Sequence, residues 1–189
     1  DWEAMRERYR LDTGGRFAEG VADRCRRAAA RDGVLRVSVS GPFWQLREWC
    51  GFEGLCMMMV DDPDLVGEMA AFWTDFVDRM LARILEHVVP DALFLSEDMA
   101  YKEKAMISMA MTREFCVPSW KRWSKRMRDA GCPIIDMDSD GYIGEWIPLW
   151  IESGINVCDP IEVAAGCDLN AFRHAHGHAM AYRQGIDKR

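Results

Sequence analysis

The sequence predicts an α/β fold in which a parallel sheet forms part of a (β/α)8 barrel. Strand-like and helix-like stretches alternate strictly along the chain, with short connections between them. Such alternation gives right-handed βαβ units and a parallel sheet. Each strand-like run also ends in polar residues, which is how such a barrel builds an active site at one rim. A doubly wound open sheet is the alternative, but no Gly-x-Gly-x-x-Gly pattern follows a strand.

The chain opens with two polar helices, predicted over positions 2–9 and 17–30. Asp12-Thr13-Gly14-Gly15 separates them, because paired glycines between polar residues favour a turn. A strand follows over 34–40, where Val alternates with Ser or Arg. A short helical stretch is predicted around 44–49.

A long amphipathic helix is predicted over 63–88. Asp62 is its expected N-cap and Pro63 its first helical residue, a position that suits proline. The apolar residues of its buried stripe recur at three- and four-residue steps. These are Leu65, Met69, Phe72, Trp73, Phe76, Met80, Leu81, Ile84 and Val88.

The rest of the chain continues the alternation. Ala92-Leu93-Phe94-Leu95 has the composition of a buried strand and runs into Ser96-Glu97-Asp98. The later elements are a helix over 112–130, an acid-tipped strand from 133, a helix over 142–153, a strand over 155–158, a helix over 168–176 and a strand over 179–183. Five strands are fewer than the eight that close this barrel, so an incomplete barrel of about five βα units is expected.

The acid-tipped strand carries the most informative pattern in the chain. Asp136, Asp138 and Asp140 are spaced two apart, so they share a direction while the strand lasts. Carboxylates so close together repel one another, and a metal, a cationic group or water must offset that repulsion. A solvated turn with a helix-capping aspartate is the alternative, since Gly141 and a helical pattern follow.

Composition excludes several classes of protein. The formal net charge of −7 argues against nucleic-acid binding. Seven cysteines without a C-x-x-C pair favour reduced thiols in a cytoplasmic protein, and no apolar run approaches a membrane span. The length suits one domain, 1–189, of which both ends look cut, so we expect a part of a longer protein.

Five stretches, in order along the chain, resemble the uroporphyrinogen decarboxylase superfamily. They are Gly41-Pro42-Phe43-Trp44, Glu97-Asp98-Met99-Ala100-Tyr101-Lys102, Asp138-Ser139-Asp140-Gly141, Pro160-Ile161-Glu162-Val163-Ala164-Ala165-Gly166 and Gly185-Ile186-Asp187-Lys188-Arg189. The resemblance implies a (β/α)8 barrel with its site at the carboxyl rim. It also implies one of two chemistries: cofactor-free decarboxylation of uroporphyrinogen, or zinc-dependent methyl transfer to or from a corrinoid or a thiol such as coenzyme M.

The chain departs from both branches of that superfamily. Trp49 stands near the position of a tyrosine of the decarboxylases and lacks the phenol hydroxyl. Asp138 and Asp140 stand where the methyltransferases place a His-x-Cys pair. Two carboxylates suit a harder ion, or zinc with oxygen ligands. A divergent branch is therefore expected.

The resemblance and the spacing together define the candidate site. Asp138, Asp140 and Glu97 are the predicted catalytic residues and metal ligands, although Glu97 could instead anchor a loop through Lys102 or an arginine. The predicted substrate contacts are Trp44, Tyr101, Lys102, Asp159, Glu162 and Asp187. For Asp187 a structural ion pair with the cations that follow it is the alternative.

Three functional hypotheses follow from the resemblance. The first is a metal-dependent, methyltransferase-like enzyme that acts on a small methylated compound, with a corrinoid protein as a partner. The second is uroporphyrinogen decarboxylase, a lyase that needs no cofactor and takes a tetrapyrrole substrate. The third is a non-catalytic corrinoid- or tetrapyrrole-binding module. A homodimer is compatible with each, and neither nucleic acid nor a membrane is an expected partner.

Overall fold

Five parallel strands form one sheet in the order in which they occur along the chain. The computed structural model describes residues 1–11, 16–17, 19–102 and 104–187. The strands are β1 (Arg36–Ser40), β2 (Ala92–Ser96), β3 (Ile134–Asp138), β4 (Val157–Ile161) and β5 (Ala181–Gln184). Within those residues β1 and β5 are the two edges of the sheet. The predicted α/β class with a parallel sheet is therefore confirmed.

Helices occupy every connection between the strands, and among the described residues two more precede β1. In chain order they are α1 (Trp2–Glu7), α2 (Val21–Ala29), α3 (Pro42–Cys50), α4 (Phe52–Asp61), α5 (Pro63–Leu85), α6 (Met109–Phe115), α7 (Val117–Asp129), α8 (Ile147–Glu152) and α9 (Leu169–His176). The Asp62 side chain accepts a hydrogen bond from the Leu65 backbone N–H and caps α5 as predicted. Asp168 caps α9 in the same way.

Several boundaries differ from the sequence-based prediction. The helix expected over 112–130 is two helices, because Pro118 lacks an N–H and begins a new helix at its first turn. Helix α4 was not predicted, since its Cys-Met-Met-Met run has no polar face. The helix expected over 142–153 is shorter, and β4 begins and ends later than predicted. The breaker predicted over 12–15 lies outside the described residues.

The two faces of the sheet differ in chemistry. Alternate residues such as Leu93, Leu95, Ile135 and Met137 are fully buried and join the core under the helices. The residues between them point to the opposite side, which we call the polar face. It carries Arg36, Ser38, Ser40, Phe94, Ser96, Asp136, Asp138, Asp159 and Arg183.

Side chains of the core also tie the outer helices together. Asp78 of α5 is buried and forms ion pairs with Arg122 and Arg126 of α7. Burial acts to raise the pKa of this carboxyl, but the two guanidinium groups outweigh it and the pKa is lowered. These ion pairs join α5 to α7.

Other predictions from composition can be compared with the structure. All seven cysteines are free, as the absence of a disulfide pattern predicted. Among the described helices, none is both long enough and apolar enough to cross a membrane.

Candidate functional site

A row of polar side chains crosses the polar face near the carboxyl ends of the strands. The strand register places Ser40 beside Ser96, Ser96 beside Asp138, and Asp138 beside Asp159. Arg183 of β5 continues the row through its contact with Asp159. In a parallel sheet such a row is set by register alone, because each residue comes from a different strand. It is the densest collection of chemically active groups on this face.

Asp138 stands at the centre of that row. Its side chain is half-buried, and its Oδ2 accepts a hydrogen bond of 2.8 Å from the Ser96 hydroxyl. Burial raises the pKa of Asp138, and the charges of Asp159 and Asp140 add to the effect. A carboxyl group whose pKa is raised toward neutrality can serve as a general acid or base.

A buried acid pair lies beside it. Asp136 is 2% exposed and Asp159 is 5% exposed. Arg183 forms ion pairs with both: its Nη1 lies 3.2 Å from Asp136 Oδ2, and its Nη2 donates a hydrogen bond to Asp159 Oδ2. Burial and the neighbouring Asp159 charge raise the pKa of Asp136 to about 7, although Arg183 acts in the opposite direction.

One guanidinium does not satisfy this pair. Among the described residues, Oδ1 of Asp136 and Oδ1 of Asp159 are buried without a hydrogen-bond partner. An unsatisfied buried polar group costs about 1–3 kcal/mol, and more when it is charged. Proteins retain such an arrangement at functional sites more readily than in an ordinary core.

A second cation lies on the same face at the other side of the sheet. The guanidinium of Arg36 stacks over the Phe94 ring, with its carbon 4.3 Å from the ring centroid. Arg36 is close enough to Asp136 to favour its ionised form. Within the described part of the chain no carboxylate forms an ion pair with Arg36. Among the described residues, the polar face therefore has three carboxyl groups on β3 and β4. The Arg183 guanidinium pairs with two of them, and the Arg36 guanidinium lies over β2.

Glu97 lies on the opposite face. It is 0% exposed, its Oε1 accepts a 2.5 Å hydrogen bond from the Trp120 indole N–H, and its Oε2 accepts one of 3.1 Å from the Trp44 backbone N–H. Burial raises the pKa of Glu97 to about 8. The predicted grouping of Glu97 with Asp138 and Asp140 is not what the structure shows, because Glu97 follows Leu95 on the helix-covered side. Glu97 joins α7 to the start of α3.

The predicted contact Trp44 occupies the first turn of α3. Arg47 stacks over its ring at 4.5 Å and bonds the Asp98 carboxylate at 3.2 Å. Trp44 also lines a cavity of about 580 Å³ that includes Ser40, at the carboxyl end of β1. The structure therefore places Trp44 next to the polar row, where a ligand can reach it.

The candidate residues in the loops after β2 and β3 are exposed at the rim of the sheet. Tyr101 is 72% exposed, and Lys102 is exposed beside it. Asp140 is exposed after β3. Gly141, at φ +85°, packs against the Tyr101 carbonyl, where a Cβ would lie 2.6 Å from the oxygen. The two loops therefore meet at the rim above Asp138.

Two further predicted residues follow β4 and β5. Glu162 Oε2 accepts a 2.9 Å hydrogen bond from the Gly141 N–H and so holds the turn after β3. Asp187 is exposed in the segment after β5. The structure thus brings together Asp138 and Asp159, with Asp140 nearby, while Glu162 supports the rim from one side.

A zinc site was tested against these positions. Across residues 1–11, 16–17, 19–102 and 104–187, no group of three or more His, Cys, Asp or Glu side chains is arranged to hold a metal ion. Catalytic zinc uses three protein ligands, and separation of Glu97 leaves the predicted set with two. The described residues therefore do not supply the three ligands of a catalytic zinc site.

Sequence reasoning missed two members of the site. Asp136 was recognised as sharing the direction of Asp138 but was not among the candidate residues, although alternation along β3 was a sufficient signal. Arg183 had no local signal, since it lies in a short strand of mixed composition and reaches the acids only through the β4–β5 pairing.

Comparison with known proteins gives no further constraint on this site. No protein-family model matches the chain, and no curated protein matches it either.

Proposed function

We propose that this chain is part of a (β/α)8-barrel enzyme of the uroporphyrinogen decarboxylase superfamily kind, which transfers a methyl group from a small methylated compound. The observation that carries the proposal is the row Ser40, Ser96, Asp138 and Asp159, which crosses four adjacent parallel strands near their carboxyl ends. Active sites of such barrels lie at that rim. The resemblance of the loops after β2, β3 and β4 to the superfamily supports the same position.

Asp138 supplies the acid chemistry in this proposal. For a methoxy donor, a protonated Asp138 gives its proton to the oxygen that loses the methyl group. A protonated amine already carries that proton and donates a hydrogen bond to the Asp138 carboxylate. The carbon–heteroatom bond breaks as the acceptor forms its bond to the methyl carbon, and the heteroatom leaves as a neutral alcohol or amine. The acceptor is a corrinoid or a thiol. The Ser96 hydroxyl holds Asp138 in place through the reaction.

The charges on the polar face favour this reaction over uroporphyrinogen decarboxylation. Arg183 already forms ion pairs with Asp136 and Asp159, so its charge is not available to a substrate carboxylate. A substrate with many carboxylate arms would meet like charges at a partly buried site, which costs binding energy. A small neutral or cationic compound would not.

The test is a pair of assays on one preparation of the protein. In the first, cob(I)alamin is the acceptor, a panel of methoxy and methylamine compounds supplies the methyl group, and methylcobalamin formation is followed by absorbance. We expect turnover that Asp138→Asn lowers by about 100-fold and that the control Asp61→Asn, at an exposed aspartate of α4, keeps. The second assay measures loss of carboxyl groups from uroporphyrinogen.

The outcomes separate the three hypotheses. Turnover only in the decarboxylation assay would replace the proposal with a lyase. Binding of cobalamin or a porphyrinogen with no turnover in either assay would identify a non-catalytic module. Methyl transfer that Asp138→Asn leaves intact would move the reaction away from the polar face.

A further inference from the structure

The polar face separates its charges in space. The acids Asp136, Asp138 and Asp159 lie on β3 and β4, whereas the Arg36 guanidinium lies over Phe94 on β2. Arg183 forms ion pairs with both Asp136 and Asp159. Among the described residues, Asp138 has a hydrogen bond from the Ser96 hydroxyl and no ion pair. One half of the face is anionic and the other half is cationic.

The distance between these halves is short. The register sets Phe94 opposite Asp136, and Asp138 is two residues further along β3. A strand spacing of about 4.8 Å and a rise of about 3.3 Å per residue place the Asp138 and Phe94 positions on the order of 8 Å apart. A small molecule that makes contacts of about 3 Å at each end can span that gap. Asp138 is half-buried and Arg36 is exposed, so a ligand can reach both.

We propose that the polar face binds a small zwitterion, an N-methylated amino acid, with its ammonium group at Asp138 and its carboxylate at Arg36. An ammonium nitrogen donates to carboxylates, and a guanidinium binds a carboxylate in a bidentate manner. The Asp136–Asp159 pair lies beside the ammonium position, and both of its Oδ1 atoms are buried without a hydrogen-bond donor among the described residues. This inference rests on the proposed function, because it names the substrate class of the same site.

The alternatives are less compatible with the arrangement. A simple methylammonium ion would leave Arg36 unused. An anion would meet the acids of β3 and β4. A metal ion is not supported, because no group of three suitable ligands occurs in the described residues. Only a ligand with both charges uses the two halves together.

The experiment compares three probes by titration calorimetry on the whole chain: N-methylglycine, methylammonium and acetate. We expect N-methylglycine to bind the wild type at least tenfold more tightly than either single-charge probe. Arg36→Gln should remove that advantage while leaving methylammonium binding unchanged. Asp138→Asn should weaken both ammonium probes. Arg27→Gln, which removes an equal charge from the exposed surface of α2, is the control and should change nothing.

Three results would overturn the proposal: equal binding of N-methylglycine and methylammonium, a preference that survives Arg36→Gln, or no binding of any probe. Circular dichroism of Arg36→Gln checks that it folds, and its retained methylammonium binding is a second check. Methyl transfer from other donors, lowered in Asp138→Asn, would show that the enzyme proposal stands even where the zwitterion inference fails.

Discussion

Glu97 and Asp138 are two acids at the ends of neighbouring strands, yet they lie on opposite faces of the sheet. Their backbones are in direct contact, since the Glu97 N–H donates to the Asp138 carbonyl at 3.0 Å. Glu97 is sealed among helices and bonded to Trp120 and Trp44, while Asp138 is half-buried on the open polar face. Backbone proximity at a strand end therefore does not place two side chains in one site. Strand parity decides whether a terminal acid supports the fold or is available to a ligand.

The largest expected effect is the pH dependence that Glu97 adds to stability. Its pKa is about 8 in the folded protein and near 4.5 when exposed, so between these values the folded state holds a proton that the unfolded chain has released. Stability therefore falls as pH rises through that window, by on the order of 5 kcal/mol from this group. Urea unfolding of wild type and Glu97→Gln from pH 4.5 to 8.5 measures it.

Glutamine keeps the shape of Glu97 and has no proton to lose, so Glu97→Gln should gain stability relative to wild type as pH rises. The same titration on Asp138→Asn should give a much smaller change, because that group is half exposed. Parallel pH profiles for wild type and Glu97→Gln would show that the buried carboxyl is not held protonated.

For the rate of methyl transfer we expect the opposite: a change at Asp138 should have a larger effect than a change at Glu97. Asp138→Asn should lower the rate of methyl transfer by about 100-fold, the usual contribution of a general acid, and change the free energy of unfolding by less than about 1 kcal/mol. Glu97→Gln should leave the rate within about threefold of wild type, since its amide oxygen keeps one of the two accepted hydrogen bonds and the residue lies on the face away from Asp138. Steady-state rates and urea midpoints of the two variants make the comparison. A larger loss of activity in Glu97→Gln would contradict the division between the faces.

Close packing around Glu97 gives a third test. A Cβ at Gly41 would lie 2.0 Å from the Glu97 carboxyl carbon, and two hydrogen bonds hold that carboxyl in place. Gly41→Ala should therefore lose about 2–3 kcal/mol of stability. Gly54→Ala is the matched control: its Cβ would meet no atom within 4 Å, and inside α4 it should gain about 0.5–1 kcal/mol. Thermal unfolding of both variants measures the two changes in stability. Equal changes would contradict the tight packing around Glu97.

The smallest expected effect concerns the metal content of the purified protein. With Glu97 on the other face, Asp138 and Asp140 are two ligands where catalytic zinc takes three. Protein purified without added metal should carry well below one zinc per chain, and the Asp138→Ala/Asp140→Ala double variant should carry the same amount. A stoichiometric divalent ion that disappears in the double variant would return Asp138 and Asp140 to a metal-binding role.

Much of the architecture could be predicted from local patterns. The Asp62 cap of α5 and the alternation of strands with helices are properties of neighbouring residues, and both appear in the structure. The predicted stripe of α5 is confirmed in part: Met69, Trp73, Phe76 and Leu81 are buried, but α5 ends at Leu85 and its buried face also includes Val66, Ala70 and Val77. Helix α4 could not be predicted in the same way, because its Cys-Met-Met-Met run does not alternate between polar and apolar residues. Its position depends on packing against α3 and α5.

The candidate site divides in the same manner. The sequence by itself determined that acids end the strands, and the spacing of Asp136 and Asp138 made them neighbours on one face. Only the tertiary structure decided that Arg183 bonds Asp136 and Asp159, that Ser96 holds Asp138, and that Glu97 is buried elsewhere. Spacing along the chain determines which side chains of one strand share a face. Contacts between side chains of different strands depend on the register of the strands, which is a property of the tertiary structure.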